Sequence, residues 1–242
     1  MENRIDIEKL SVRIKEKNLL REVSLHVKTG ETHILMGPNG SGKTTLARAI
    51  LGDKRYTVTE GRIEFNGADM LKLKPHERAR MGIFVSFQEP VTLQGVNTLS
   101  FLKASYESIN STKVTMSEFK NIVGKNLQRI GLPESVNERY VNEGFSGGEK
   151  KKFELLQLLL LKPKIAILDE IDTGLDLDSM KVLSNAVNEM LPETGFLIIT
   201  HNDRILKHIK PTLVHVMKEG SITRSGGLEL VEEIEKGGYK IG

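Results

Sequence analysis

Gly37-Pro38-Asn39-Gly40-Ser41-Gly42-Lys43-Thr44 lies between a compact apolar run, Thr32 to Met36, and a stretch of helical character from Thr44 to Leu51. The spacing is G-x-x-x-x-G-K-[ST], and it sits where a phosphate-binding loop must, after a strand and at a helix start. Glycines let the backbone wrap closely, so that successive N–H groups and the positive helix end face a polyphosphate. Lys43 is then within reach of the β- and γ-phosphates, with Thr45 beside it, and the Thr44 hydroxyl can ligate Mg²⁺. The competing account is a glycine-rich turn with a chance lysine, a match expected in on the order of one chain in a hundred. The flanks on both sides favour the phosphate site.

A phosphate loop leaves the chemistry open, and a second stretch narrows it. Ile165-Ala166-Ile167-Leu168-Asp169-Glu170 is an apolar strand ending in two carboxylates. In a nucleotide-hydrolysing site Asp169 would hold the Mg²⁺ shell, and Glu170 would polarise the attacking water as general base. An acidic surface pair is the alternative for this stretch taken alone. Phe145-Ser146-Gly147-Gly148-Glu149 precedes it and opens a helix. Ser146 and the following N–H groups make a second anion-binding helix start, although Ser-Gly-Gly by itself is a common capping turn.

In register, these stretches resemble the ABC ATPases. The third resembles their signature, normally Leu-Ser-Gly-Gly-Gln, with Phe145 and Glu149 at its ends. Gln88, after the run Gly82 to Phe87, is similar to the Q-loop glutamine and by that resemblance contacts the metal shell. Asp176 in Thr173-Gly174-Leu175-Asp176 resembles the D-loop, and His201 after Phe196 to Thr200 resembles the switch histidine. The resemblance spans essentially the whole chain. It implies catalytic roles for Glu170, His201 and Gln88, a metal shell of Thr44, Gln88 and Asp169, and nucleotide contacts from Gly37 to Thr45, Ser146, Gly147, Gly148 and Asp176. The implied cofactors are ATP and Mg²⁺.

Longer runs narrow the resemblance further. Asn142 to Lys152, Leu168 to Asp178, Phe87 to Val91 with Gly95-Val96, and Ile209 to Val216 are similar to the SufC family, the ATPase subunits of the SUF iron–sulfur assembly system. That likeness implies SufB/SufD-type scaffold partners. It also implies an ATP-dependent head-to-tail dimer, because one chain carries one phosphate loop and one signature. One departure stands out. ABC cassettes usually stack adenine on an aromatic ring before the phosphate loop, and residues 1–30 hold no Phe, Tyr or Trp; His26 is the only ring there, between Leu25 and Val27.

Composition sets the outer bounds. The chain has 242 residues, enough for one large domain or a core with a subdomain. Lys+Arg 35 against Asp+Glu 32 gives a net +3 with no strong clustering, which gives nucleic-acid binding no support. With Cys 0 the chain has no disulfide, thiolate metal site or cysteine-ligated cluster of its own. The start has no signal-like apolar core, and the most apolar run, Leu155 to Leu161, is too short to cross a bilayer. A cytoplasmic protein without direct membrane insertion is expected.

Strands alternating with helices predict a parallel α/β sheet covered on both faces. The expected fold is an ABC-type P-loop NTPase with a RecA-like core, an N-terminal antiparallel β subdomain and an inserted helical subdomain. Residues 1–88 and 160–242 are assigned to the core with its β subdomain, and residues 89–159 to the helical subdomain ending in the signature. Ser117 is the expected N-cap of a helix ending near Gly131-Leu132-Pro133. Lys150, Lys151 and Lys152 are expected on a solvated basic face, with a resting ion pair to Glu170 as one functional alternative. Val91, Leu93, Val96, Leu99 and Phe101 offer either core packing or a partner surface. The competing functions are the nucleotide-binding subunit of a membrane transporter, which shares every catalytic motif, and a nucleic-acid-linked ABC protein, which usually has two cassettes or a long coiled coil.

Overall fold

The computed structural model describes residues 2–201 and 203–240. The chain opens with two long antiparallel strands, β1 (Arg4–Ile14) and β2 (Lys17–Lys28). Their register shifts where Lys9 and Glu22 adopt positive φ, bulges that interrupt the alternation and hide the strands' full length. β3 (Thr32–Met36) leads through the glycine-rich loop into α1 (Lys43–Leu51). β4 (Thr57–Phe65) and the short β5 (Ala68–Asp69) turn at Asn66-Gly67 and complete a four-stranded sheet ordered β2-β1-β4-β5. α2 (Pro75–Met81) then leads to β6 (Ile83–Val85).

Three helices follow: α3 (Thr98–Asn110), α4 (Met116–Ile130) and α5 (Gly147–Leu161). The N-cap of α4 is Thr115, two residues before the expected Ser117. Thr115 closes a capping box with Glu118, which Ser117 has no partner to make. After α5 come β7 (Ile165–Asp169), α6 (Leu177–Met190), β8 (Gly195–Ile199), β9 (Leu213–Lys218), β10 (Ser221–Gly226) and α7 (Glu229–Gly237).

The second sheet is ordered β10-β9-β3-β8-β7-β6, parallel except for β10 at one edge. Its alternating residues divide the molecule into two apolar layers. Ile34, Ala166, Leu168, Phe196 and Ile198 pack with α3, α4, α5 and α6 on one face. Leu35, Ile165, Ile167, Leu197 and Ile199 pack on the other with α1 and the first sheet. α5 is buried nearly all round, Phe153 to Leu160, as a central helix must be. Among the described residues no helix is long and apolar enough to cross a membrane.

Candidate active site

Four loops leave the carboxyl ends of β3, β6, β7 and β8 on one edge of the parallel sheet, where such folds bind ligands. Gly37 follows β3, Gln88 follows β6, Glu170 follows β7 and His201 follows β8. The loops are tied together through backbone. Ser86 N–H donates to Ile167 O, Glu170 N–H to Ile199 O and Thr200 N–H to Leu35 O. The Ser86 hydroxyl accepts from Asp169 N–H at 2.8 Å.

A cleft of about 380 Å³ opens there, lined by Asn39 to Thr45 together with Gln88, Glu170, His201, Lys17 and Leu19. Gly37 and Pro38 lie beneath it, their carbonyls accepting from Lys43 Nζ at 2.8 and 3.1 Å. Burial lowers the Lys43 pKa, against the opposing charges of Glu170 and Asp169. Gly42, at φ 110, caps α1 in a left-handed conformation that leaves the first N–H groups of the helix pointing into the loop. The Ser41 hydroxyl is buried without a partner.

The acidic end of β7 is strained and crowded. Asp169 is buried, and burial lifts its carboxyl to about 6; the Thr44 hydroxyl, 3.4 Å away, pulls back, and the charge of Glu170 adds to the lift. Glu170 is a non-glycine residue at φ 51, a conformation that costs free energy and is retained where surrounding structure imposes it. Its two oxygens are engaged separately. Gln88 Nε2 donates to Oε2 at 2.9 Å, and His201 Nδ1 lies 3.3 Å from Oε1. Sequence reasoning missed Asp172, buried one turn onward, whose Oδ2 accepts from the Thr200 hydroxyl at 2.7 Å. It also missed Lys17 and Leu19 of β2, which line the cleft beside the phosphate loop.

The signature stands apart from this cleft. Ser146 caps α5 and closes a capping box with Glu149, whose carboxylate also takes Arg139 at 3.0 Å. A Cβ added at Gly147 or Gly148 would meet nothing within 4 Å. Asp176 caps α6, accepting from Ser179 N–H at 2.7 Å. Neither the signature nor Asp176 lines the cleft of its own chain. His26 is equally remote: it lies on the exposed face of β2, against the His33 ring at 6.2 Å.

The lysine run departs from expectation. Lys151 is buried, not solvated, and its Nζ lies 3.5 Å from Glu154 Oε2, not on Glu170. The helix turns Lys151 inward, beneath the loop that carries Gln88, while Lys152 donates to Gly131 O at 3.3 Å. The apolar segment divides in a similar way: Leu99 is core, whereas Val91 and Val96 are 55% and 39% exposed.

The donors present fit a magnesium nucleotide. Thr44, Gln88 and Asp169 offer only oxygen ligands, which suit Mg²⁺. The unpartnered Ser41 hydroxyl, the Lys43 ammonium and the open N–H end of α1 suit a polyphosphate.

Comparison with known proteins agrees. The family model for the ABC transporter matches residues 20–173. A probable ABC transporter ATP-binding protein of Streptococcus pyogenes is 45% identical, over 97% of this chain and 93% of its own. The probable ATP-dependent transporter SufC of Escherichia coli is 42% identical, over 97% of both chains. The dimeric structure of a bacterial ABC transporter cassette superposes with a TM-score of 0.79 at 21% identity, covering 93% of this chain and 98% of that one.

Proposed function

This chain belongs to the ABC ATPase family, and from that premise we propose that it is the ATP-hydrolysing subunit that drives conformational change in a SufB/SufD-type scaffold during iron–sulfur cluster assembly in the cytoplasm. ATP and Mg²⁺ are the cofactors of the family. The observation that carries the finer reading is the 42% identity to SufC of Escherichia coli over nearly the full length of both chains. The absence of cysteine supports it as a division of labour: the thiolates that hold a cluster belong to the partners, and this chain supplies work from ATP. In this reading residues 1–88 and 160–242 form the catalytic core, and residues 89–159 the helical subdomain that carries motion outward.

The residues then act as follows. Lys43 leaves the Gly37 and Pro38 carbonyls for the β- and γ-phosphates, and Ser41 and the N–H groups of the loop complete the cradle. Thr44, Gln88 and Asp169 would hold Mg²⁺, which would supply charge neutralisation on the phosphates when bound. Glu170 takes a proton from water as the oxygen attacks the γ-phosphorus and the bond to ADP breaks. His201 holds Glu170 and reaches the γ-phosphate. In the structure Gln88 donates to one Glu170 oxygen and His201 Nδ1 lies 3.3 Å from the other, so both neighbours orient the carboxylate while its remaining acceptor sites can take water.

The signature lies outside the chain's own cleft, so a complete site needs Ser146, Gly147, Gly148 and Asp176 from a second copy, head to tail. The γ-phosphate adds the contacts that favour this closed state. Glu170→Gln should bind ATP, become dimeric in light scattering, and lose turnover by about 10²–10⁴-fold. A variant that stays monomeric with ATP, alone and with scaffold, or that turns over normally, sinks the mechanism. The second reading, a transporter's nucleotide-binding subunit, rests on the name of the streptococcal relative. Affinity purification separates the two: soluble SufB/SufD-type partners support the first, and recovery with membrane proteins supports the second.

A further inference from the structure

One buried charged pair has no part in the chemistry above. Lys151 and Glu154 lie one turn apart on α5, with side chains 8% and 4% exposed and 3.5 Å between Nζ and Oε2. Both are also bound to backbone outside the helix. Glu154 Oε1 accepts from Phe87 N–H at 2.7 Å, and Lys151 Nζ donates to the carbonyls of Phe87 and Gln88 at 3.1 and 3.0 Å. The chain leaves β6 at Ser86, so these are the first polar groups beyond the sheet. They are handed from strand pairing directly to α5. From the opposite side the Arg48 guanidinium of α1 lies over the Phe87 ring at 4.6 Å.

A buried ion pair is a poor source of stability, since apolar residues of similar volume often serve as well or better. What this pair adds is geometry. Its three bonds fix the Phe87 N–H and the Phe87 and Gln88 carbonyls, on both sides of the Gln88 Cα, and Gln88 donates to Glu170 at 2.9 Å. The same pair sits within the first two turns of the helix that Ser146 caps. Four residues separate the signature serine, which in the proposed dimer faces the second copy's nucleotide, from Lys151.

We propose that Lys151 and Glu154 are positioning residues that lock the Gln88 loop to the signature helix, so that seating of the signature on one nucleotide sets the placement of Gln88 at the other. The proposal rests on the head-to-tail reading above. Motion of α5 by a fraction of an ångström moves the Phe87–Gln88 peptide with it, because no water or flexible linker intervenes in the three bonds. Gln88 then either keeps its hold on Glu170 or releases it. The two sites of a dimer would thus report to each other through two short rigid links, one in each chain.

The test is a double variant, Lys151→Met with Glu154→Leu, beside Glu154→Gln, which keeps an acceptor for Phe87 N–H. The double variant should bind ATP with near-normal KM while kcat falls about 10- to 100-fold, the scale of a small misplacement at a reacting centre. Glu154→Gln should recover most of that loss. A double variant with wild-type kcat, one that loses ATP binding and thermal stability together, or a Glu154→Gln as slow as the double variant overturns the proposal. Hydrogen exchange on the unmodified protein gives a readout that needs no substitution. ATP should change protection of the Phe87–Gln88 segment and the first turns of α5 at the same ATP concentration, and independent responses would also overturn it. Glu170→Gln run in parallel separates the layers: if that variant is inactive as expected while the double variant is normal, this proposal alone fails.

Discussion

Histidines in a strand core are the residue-scale surprise. His33 of β3 and His215 of β9 are both buried, and Nδ1 of the first lies 3.0 Å from Nε2 of the second. The far nitrogen of His33 is 3.3 Å from Glu31 Oε2, and His215 Nδ1 is 2.7 Å from the Ser225 hydroxyl. One protonation pattern suits the two hydrogen bonds of the row. His33 Nδ1 accepts from His215 Nε2–H and His215 Nδ1 accepts from the Ser225 hydroxyl, while His33 Nε2 approaches the Glu31 carboxylate without a hydrogen bond. Both rings are then neutral. Burial holds His215 down to about 4, with the neighbouring His33 and His26 adding to the effect; burial also lowers His33, against the pull of Glu31. A histidine with a depressed native pKa takes up protons on unfolding below its ordinary value of 6.5. The contribution of His215 to stability is therefore full above about 6.5 and is lost as pH drops towards 4, by on the order of 3 kcal/mol. Stability from urea unfolding at pH 7.5 and pH 5 should change less favourably with falling pH in the wild type than in His215→Gln. An equal pH slope in that variant would reject the assignment. Nothing in the sequence marked this pair, because β3 and β9 lie about 180 residues apart and only the parallel register brings them together.

At the scale of elements, the loop and helix around Lys43 were legible because their local geometry demands particular residues. Gly42 shows why. It sits at φ 110, and an added Cβ would stand 2.7 Å from Leu20 Cδ2 and 3.2 Å from Leu19 O. Gly42→Ala should therefore either strain the loop, at a cost of about 1–3 kcal/mol, or pull the N–H groups out of line. Fluorescent-nucleotide titration should show ATP affinity at least about tenfold weaker with the fold intact by circular dichroism; unchanged affinity would mean that the loop relaxes freely. The parallel strands were equally readable, since Ile165 to Leu168 and Phe196 to Ile199 are continuous apolar runs of the kind a doubly covered sheet requires. Elements whose signal is tertiary were not. Bulges at Lys9 and Glu22 broke the alternation of β1 and β2. Lys151 read as surface charge because its partners, the Phe87 and Gln88 carbonyls, are more than 60 residues away. Thr115 outcompeted Ser117 as a cap because only Thr115 has Glu118 three residues on.

If two cassettes close on nucleotide as proposed, their motion must leave the protein through some surface. The segment after Gln88 borders a small apolar cleft of about 180 Å³, lined by Phe84, Phe87, Pro90, Val91, Leu93 and Phe101 among others. Glu154 and Gln157 of α5 form part of its wall. A partner segment seated there would touch both the Gln88 loop and the signature helix, so it would feel nucleotide closure at either site. Val91 lines this cleft and Val96 follows five residues on, both with much of their surface in water, whereas Leu99 is already spent on the core. Substituting Val91→Glu together with Val96→Lys should leave nucleotide binding within about twofold, since neither residue lines the nucleotide cleft. On the proposed function, capture of SufB/SufD-type scaffold on beads should fall at least about tenfold, the cost of placing charge against an apolar contact. Leu99→Glu makes the contrast, because burying a charge in the α3 layer should unfold the helical region and lower both readouts together. If the surface pair of substitutions leaves scaffold capture unchanged, the output of the ATPase passes through another face. The cleft beside Gln88 would then be packing alone.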